Sequence, residues 1–230
     1  MASQNIHEII CFDVDSTLVT CEGVDWLADQ KGVGEQVKNL TSMAMEGIVP
    51  MEDVFGKKID ILQPSHSEME SIGLHYCQSL SQDAEKVVRV LQNLGKEIWL
   101  ITGGFAPAVI LLAKKLGISE KNILANTVSF NKDGSYKQVD STNCLIRADG
   151  KSICVQEIGY GKRIAFVGDS VTDLATKPYV QTFVGYGGIA LREKVREKAD
   201  YFISCKSLLP LLEIILTAEE LERVDKYSEL

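Results

Sequence analysis

Asp13 and Asp15 stand two residues apart, directly after the apolar run Ile9–Phe12. Side chains at that spacing in an extended segment point the same way, so both carboxylates can face one site. Taken alone, such a pair is as readily a turn or a helix cap. A second pair, Asp169 and Asp173, follows the run Ile164–Val167, and Thr102-Gly103-Gly104 follows Ile98–Ile101. Carboxylates crowded together repel one another unless a cation neutralises them, and hard oxygen donors of this kind suit Mg²⁺. The chemistry open to such a group is phosphoryl transfer. One carboxylate attacks phosphorus and forms an acyl phosphate. Its neighbour protonates the departing alkoxide and later activates water. The metal offsets charge between nucleophile and phosphate. The Thr102 hydroxyl is available to the phosphoryl oxygens, and Gly103-Gly104-Phe105 is expected to open a helix whose free N–H groups favour an anion.

The elements that must position these groups are legible as a rhythm. The three runs are too short for helices and lack polar alternation, as expected of strands covered on both faces of a parallel sheet. Val87, Val90, Leu91 and Leu94 repeat at helical spacing and end at Gly95; Val109, Leu112, Ala113 and Leu116 do so before Gly117; Leu208, Leu211, Leu212 and Ile215 form a third stripe. Alternation of this kind predicts an α/β fold, a Rossmann-like parallel sheet flanked by helices. Its ligands are expected outside the carboxyl ends of the strands. From Thr20 to Leu80 no strand-like run occurs, yet helical stripes do: Val33, Val37, Leu40 and Ala44; Phe55, Ile59 and Leu62; Met69, Ile72 and Tyr76. A crossover needs far fewer residues, so residues 20–80 read as a small helical cap inserted after the first strand, with 1–19 and 81–230 forming the core. Asp133-Gly134 between β-rich flanks signals a hairpin over Val128–Val139.

Composition narrows the partners. The 230 residues carry a net charge of −8, which argues against broad capture of nucleic acid or acidic membranes. No apolar run approaches the roughly 18 residues of a membrane span. Six scattered cysteines without a Cys-x-x-Cys pair suit a reducing compartment, and no secretory signal is visible at the N-terminus; a cytoplasmic location is expected. His7, His66 and His75 lack metal-ligand spacing, and Trp26 and Trp99 read as packing residues.

The ordered segments Asp13-Val-Asp-Ser-Thr-Leu-Val19, Leu100-Ile-Thr-Gly-Gly-Phe105, Lys151 and Gly168-Asp-Ser-Val-Thr-Asp173 resemble the four motifs of the haloacid dehalogenase superfamily. Within it, Glu22-Gly-Val-Asp-Trp26, Met45-Glu-Gly-Ile-Val-Pro50, Gln63-Pro-Ser65 and Phe183-Val-Gly-Tyr-Gly-Gly188 are similar to its phosphoserine phosphatase family. The resemblance implies Asp13 as nucleophile and Asp15 as general acid/base, with Thr102 and Lys151 on the phosphoryl group. It implies Mg²⁺ held by Asp13, the backbone carbonyl of Asp15 and Asp169, with Asp173 supporting them. Glu22 is implied to meet the substrate's ammonium, and Gly103, Gly104 and Thr172 to complete the substrate site. The implied reaction is hydrolysis of a small phosphorylated metabolite, O-phosphoserine first, with another small phosphate monoester as the nearest alternative and a non-catalytic phospho-ligand binder as the remote one. Two cap positions depart from the family. Met51 stands where an apolar Phe is usual, and Lys58 where an arginine holds the substrate carboxylate. Lysine lacks Arg's two-pronged geometry, and Lys57-Lys58 also reads as a solvated helix face. Read without the family, Lys151 is a surface lysine.

Overall fold

The computed structural model describes residues 7–45, 49 and 51–227. Strand β1 (Ile9–Phe12) is followed by a tight turn and four helices, α1 (Gly23–Gln30), α2 (Gly34–Met45), α3 (Met51–Leu62) and α4 (His66–Gln78). Strands and helices then alternate through α5 (Ala84–Asn93), β2 (Glu97–Phe105), α6 (Ala106–Lys115) and β3 (Ile123–Asn126). A hairpin of β4 (Val128–Phe130) and β5 (Tyr136–Val139) precedes α7 (Gly150–Ile158), β6 (Ile164–Gly168), α8 (Val171–Leu174) and β7 (Thr182–Tyr186). The chain closes with α9 (Glu193–Lys198), β8 (Tyr201–Ile203), α10 (Pro210–Ile215) and α11 (Ala218–Tyr227).

Six strands form one parallel sheet in the order β3-β2-β1-β6-β7-β8. The run Ile9–Phe12 sits at its centre with no exposed surface, which is why it carries no polar alternation. Phe12 pairs with Leu100 on one side and Val167 on the other. The segments that leave β1, β2 and β6 therefore emerge side by side, and the aspartates after β1 and β6 become neighbours. The sequence runs that announced these strands correspond to β1, β2 and β6. The expected helix start at Gly103-Gly104-Phe105 is corrected: β2 continues through Phe105 and α6 begins at Ala106. A register shift between Ile101 and Phe105 lets the strand bulge and still pair Phe105 with Asn126.

The four helices α1–α4 form the long excursion between β1 and the rest of the sheet. Chain exit and return are bound to each other at its base. Val19 bridges Leu80, the Thr20 amide donates to the Ser79 carbonyl at 2.7 Å, and the Ser81 amide to the Leu18 carbonyl at 2.9 Å. The buried Ser81 hydroxyl adds a bond to the Thr17 carbonyl at 2.7 Å. Helix α4 starts at a capping box between Ser65 and Glu68, and the His66 amide donates to the carbonyl of Gly134 in the β4–β5 turn at 2.9 Å. Trp26 stacks on His75 with ring centroids 4.5 Å apart, joining α1 to α4, while His7 is buried against the Ile215 carbonyl and the Thr182 hydroxyl. Among the described residues no helix is long and apolar enough to cross a membrane.

Because Ser81 Oγ serves a buried carbonyl at the neck, Ser81→Ala should cost about 1–3 kcal/mol in urea unfolding. Loss of less than a few tenths would show that the neck does not depend on this bond.

Candidate active site

Asp13 directly follows β1, and its amide donates to the Val167 carbonyl of β6 at 2.9 Å. That bond fixes the nucleophile candidate at the carboxyl ends of the two central strands. Asp169 follows β6, and Asp173 folds back on the same strand end from α8. A Cβ at Gly168 would lie 2.3 Å from the Asp173 side chain, so only glycine admits this approach. Carboxylate oxygens of Asp13, Asp169 and Asp173 lie within 4.8 Å of one another, all buried.

Two cations answer this charge. Lys151, on the first turn of α7, places Nζ 2.6 Å from Asp13 Oδ1 and 2.6 Å from Asp173 Oδ1. It is 7% exposed, so its reading as a surface lysine is corrected: its partners are distant in sequence and only the fold supplies them. Burial alone would lower its pKa, but Asp13 and Asp173 hold it above the usual lysine range. Arg192, which no sequence signal marked, donates from Nε to Asp169 Oδ2 at 2.9 Å. Asp173 Oδ2 is taken by the Ser170 amide and hydroxyl at 2.9 and 2.6 Å, so both of its oxygens are held.

The two cations do not complete the neutralisation. Burial first, then Asp173, pushes the Asp13 carboxyl well above the carboxylate range despite Lys151. Burial and Asp173 push Asp169 up to about 6 against the pull of Arg192. A buried, all-oxygen donor set short of positive charge fits a hard divalent cation, whose opposite ligands stand roughly 4 Å apart. The group able to hold it comprises Asp13, Asp169 and Asp173; the Asp15 side chain is outside it.

Asp15 is set for a different task. Its Oδ1 accepts from the Gly23 amide at 2.8 Å and from the Tyr76 hydroxyl at 2.8 Å. Burial dominates these bonds and raises its pKa, which favours the acid form of a carboxyl with one oxygen already occupied. Tyr76 belongs to the helical stripe read as core. It is core, 1% exposed, yet its hydroxyl reaches the site. The bend that aims Asp15 runs through Ser16, buried with φ 54°, a left-handed conformation that non-glycine residues hold only under surrounding constraint. Ser16 Oγ donates to Glu22 Oε1 at 2.6 Å. Glu22, at the start of α1, is open to solvent on one side, but crowding by protein atoms and then the charge on Asp15 push it up to about 7.

The expected residues Asp13, Asp15, Glu22, Lys58, Thr102, Gly103, Gly104, Lys151, Asp169 and Thr172 line one cavity of about 320 Å³. Buried Thr102 accepts the Gly104 amide at Oγ1, 2.9 Å, which leaves its hydroxyl hydrogen free for a ligand. Thr172 Oγ1 lies 2.8 Å from Ser170 Oγ. Lys58 is no solvated face: it lines the cavity and pairs with Asp25 at 3.4 Å. The side chain of Met51, at the start of α3, lies outside the described residues. Val24, Val54, Phe55 and Ile59 form an apolar wall from the inserted helices.

A family model described as haloacid dehalogenase-like hydrolase matches residues 7–176. The phosphoserine phosphatase of Bos taurus is 32% identical over 200 residues, covering 86% of this chain and 89% of that one. The chloroplastic phosphoserine phosphatase of Arabidopsis thaliana is 37% identical over 201 residues, covering 85% and 68%. Among solved structures, a phospho-aspartyl intermediate analogue of phosphoserine phosphatase superposes with a TM-score of 0.77 at 27% identity, covering 92% of this chain and all of that one. A substrate-bound phosphoserine phosphatase complex gives 0.76 at 27%, covering 91% and 99%.

Asp169 binds its proton more tightly folded than unfolded, so the stability it contributes is complete below pH 4 and is lost as pH rises through about 6. With a chelator present, Asp169→Asn should therefore gain stability relative to the parent as pH rises from 4 to 7, read by thermal unfolding. A difference that stays flat or shrinks would contradict the charge deficit.

Proposed function

The chain belongs to the haloacid dehalogenase-like hydrolases, and we propose that within them it hydrolyses O-phosphoserine to serine and phosphate through an aspartyl-phosphate on Asp13. The observation that carries the reading is the convergence of Asp13, Asp15, Thr102 and Lys151 on one cavity, with Asp15 on a separate hydrogen-bond network from the charge cluster. Similarity to phosphoserine phosphatases over most of the chain supports the substrate.

In the first step an Asp13 carboxylate oxygen attacks phosphorus and the phosphorus–serine oxygen bond breaks. Asp15 gives its proton to the departing alkoxide; the Gly23 amide and Tyr76 hydroxyl keep its carboxyl aimed. Lys151 and the Thr102 hydroxyl hold the transferring phosphoryl oxygens, preorganised donors that need no rearrangement as charge develops. In the second step Asp15 takes a proton from water, water attacks phosphorus, and Asp13 leaves as carboxylate with release of phosphate. Asp13, the backbone carbonyl of Asp15 and Asp169 would hold Mg²⁺, with Asp173 supporting them; when bound it offsets the charge between nucleophile and phosphate.

Residues 20–80 act as the cap that selects the leaving group. Glu22 meets the substrate ammonium, and Lys58 neutralises its carboxylate by exchanging Asp25 for the substrate. A lysine offers charge without a fork, so discrimination for the carboxylate is weaker than an arginine would give. The site takes a small phosphorylated metabolite, and the acidic surface suits neither nucleic acid nor membrane; the expected setting is the cytoplasm.

With Mg²⁺, phosphoserine should be hydrolysed at least about tenfold faster, in kcat/KM, than a generic aryl phosphate, a margin of about 1.4 kcal/mol. A chelator should abolish both activities, and Asp13→Asn should abolish turnover while preserving the fold, read by a cooperative unfolding transition. Equal rates on the two esters would sink the substrate assignment. Turnover retained by the Asn variant would remove Asp13 from the mechanism.

A further inference from the structure

Cys144 and Cys154 are separated by ten positions in sequence, yet their Sγ atoms lie 3.7 Å apart. A disulfide requires about 2.05 Å, so the gap is roughly that of two side chains poised but not joined. The contact is imposed by backbone. A Cβ at Gly150 would stand 2.2 Å from the Cys144 carbonyl oxygen, so the first residue of α7 rests directly on the turn Cys144–Ile146. The Arg147 amide donates to the Cys144 carbonyl at 2.9 Å, and the Gly150 amide to the Arg147 carbonyl at 3.1 Å. Cys144 is half-buried and Cys154 buried, so a reagent from solvent meets Cys144 first and Cys154 from within. Burial and the neighbouring Cys144 push the Cys154 thiol up to about 12, which suits the resolving partner better than the attacking one.

We propose that Cys144 and Cys154 form a reversible dithiol–disulfide modification site whose reactant is a low-molecular-weight disulfide. The Cys144 thiolate attacks one sulfur of the small disulfide, forms a mixed disulfide and releases one small thiolate. Cys154 gives up its proton and attacks the Cys144 sulfur, closing the internal bond and releasing the second small thiol. The two cysteines lose two electrons together and the reagent gains them.

The consequence for turnover rests on the function proposed above. Cys154 lies three positions after Lys151, on the same side of α7, and Leu145 and Ile146 beside Cys144 line the cavity. Drawing the sulfurs together pulls the turn and the helix toward each other. The Lys151 ammonium, 2.6 Å from both Asp13 and Asp173, shifts with them. Misplacement of a catalytic group by about 1 Å costs on the order of 10²-fold.

The full-length protein is incubated in oxidised and reduced glutathione at graded ratios, alkylated, digested and read by mass spectrometry, with aryl phosphate hydrolysis followed in parallel. The expected result is a Cys144–Cys154 cross-linked peptide and a fall in kcat/KM of about tenfold or more, both reversed by dithiothreitol. Cys144→Ser should form no such peptide and keep its activity under the oxidising ratio. Oxidation that leaves both thiols open to alkylation, or that stops at glutathione on Cys144, overturns the site. A complete cross-link with unchanged turnover overturns its coupling to Lys151. Because the cross-link is read by mass, an inactive reduced protein would count against the phosphatase reading and not against the site.

Discussion

Three buried carboxylates must coexist at the carboxyl ends of two adjacent strands, and the rest of the architecture follows from that requirement. Like charges about 4 Å apart repel by about 4 kcal/mol at an effective dielectric near 20. The chain answers with Lys151 from α7 and Arg192 from the segment before α9, and both are brought in by the folded topology. Neither suffices, as the raised Asp13 and Asp169 carboxyls show. A site left short of positive charge is one that gains from a cation and from a substrate that arrives with one. Stability given up there is offset by the sheet, where β1 and β6 are covered on both faces.

The same crevice separates two kinds of carboxylate by their partners. Asp13 belongs to a network of charge, whereas Asp15 belongs to a network of neutral donors, the Gly23 amide and the Tyr76 hydroxyl. Both Asp15 partners come from the inserted helices. The segment that forms the apolar wall of the cavity thus also orients Asp15, and in the proposed reaction this couples substrate selection to acid–base chemistry through α1 and α4. The bonded neck at Leu18–Thr20 and Ser79–Ser81 ties the exit and the return of that segment to each other at the sheet.

Much of this was legible in the order of residues. Strands β1, β2 and β6 announced themselves because both faces are buried and no polar residue interrupts them. The aspartates were legible because two pairs, Asp13/Asp15 and Asp169/Asp173, each follow an apolar run read as a strand. Strand β3, half-buried and four residues long, and β8, three residues at the sheet edge, carry too little pattern to mark. Strand β7 is fully buried, but Gly185 breaks its apolar run. The start of α6 was misplaced because glycines read as a strand stop, whereas here they permit a bulge. Arg192 and the Cys144–Cys154 contact were illegible for one reason: each acquires its meaning from a partner set by folding, not by spacing; Lys151 was marked only by the family resemblance, for the same reason. Tyr76 shows the opposite limit, since its apolar stripe concealed a hydroxyl that bonds Asp15 in the cavity.

The most direct measurement is to quench the protein with acid during turnover of phosphoserine in Mg²⁺ and locate the transferred phosphoryl group by peptide mass spectrometry. The account predicts a single acid-stable, hydroxylamine-labile phosphoryl adduct on the peptide bearing Asp13. An adduct on any other residue, or steady turnover with no adduct under conditions that trap acyl phosphates, would contradict it.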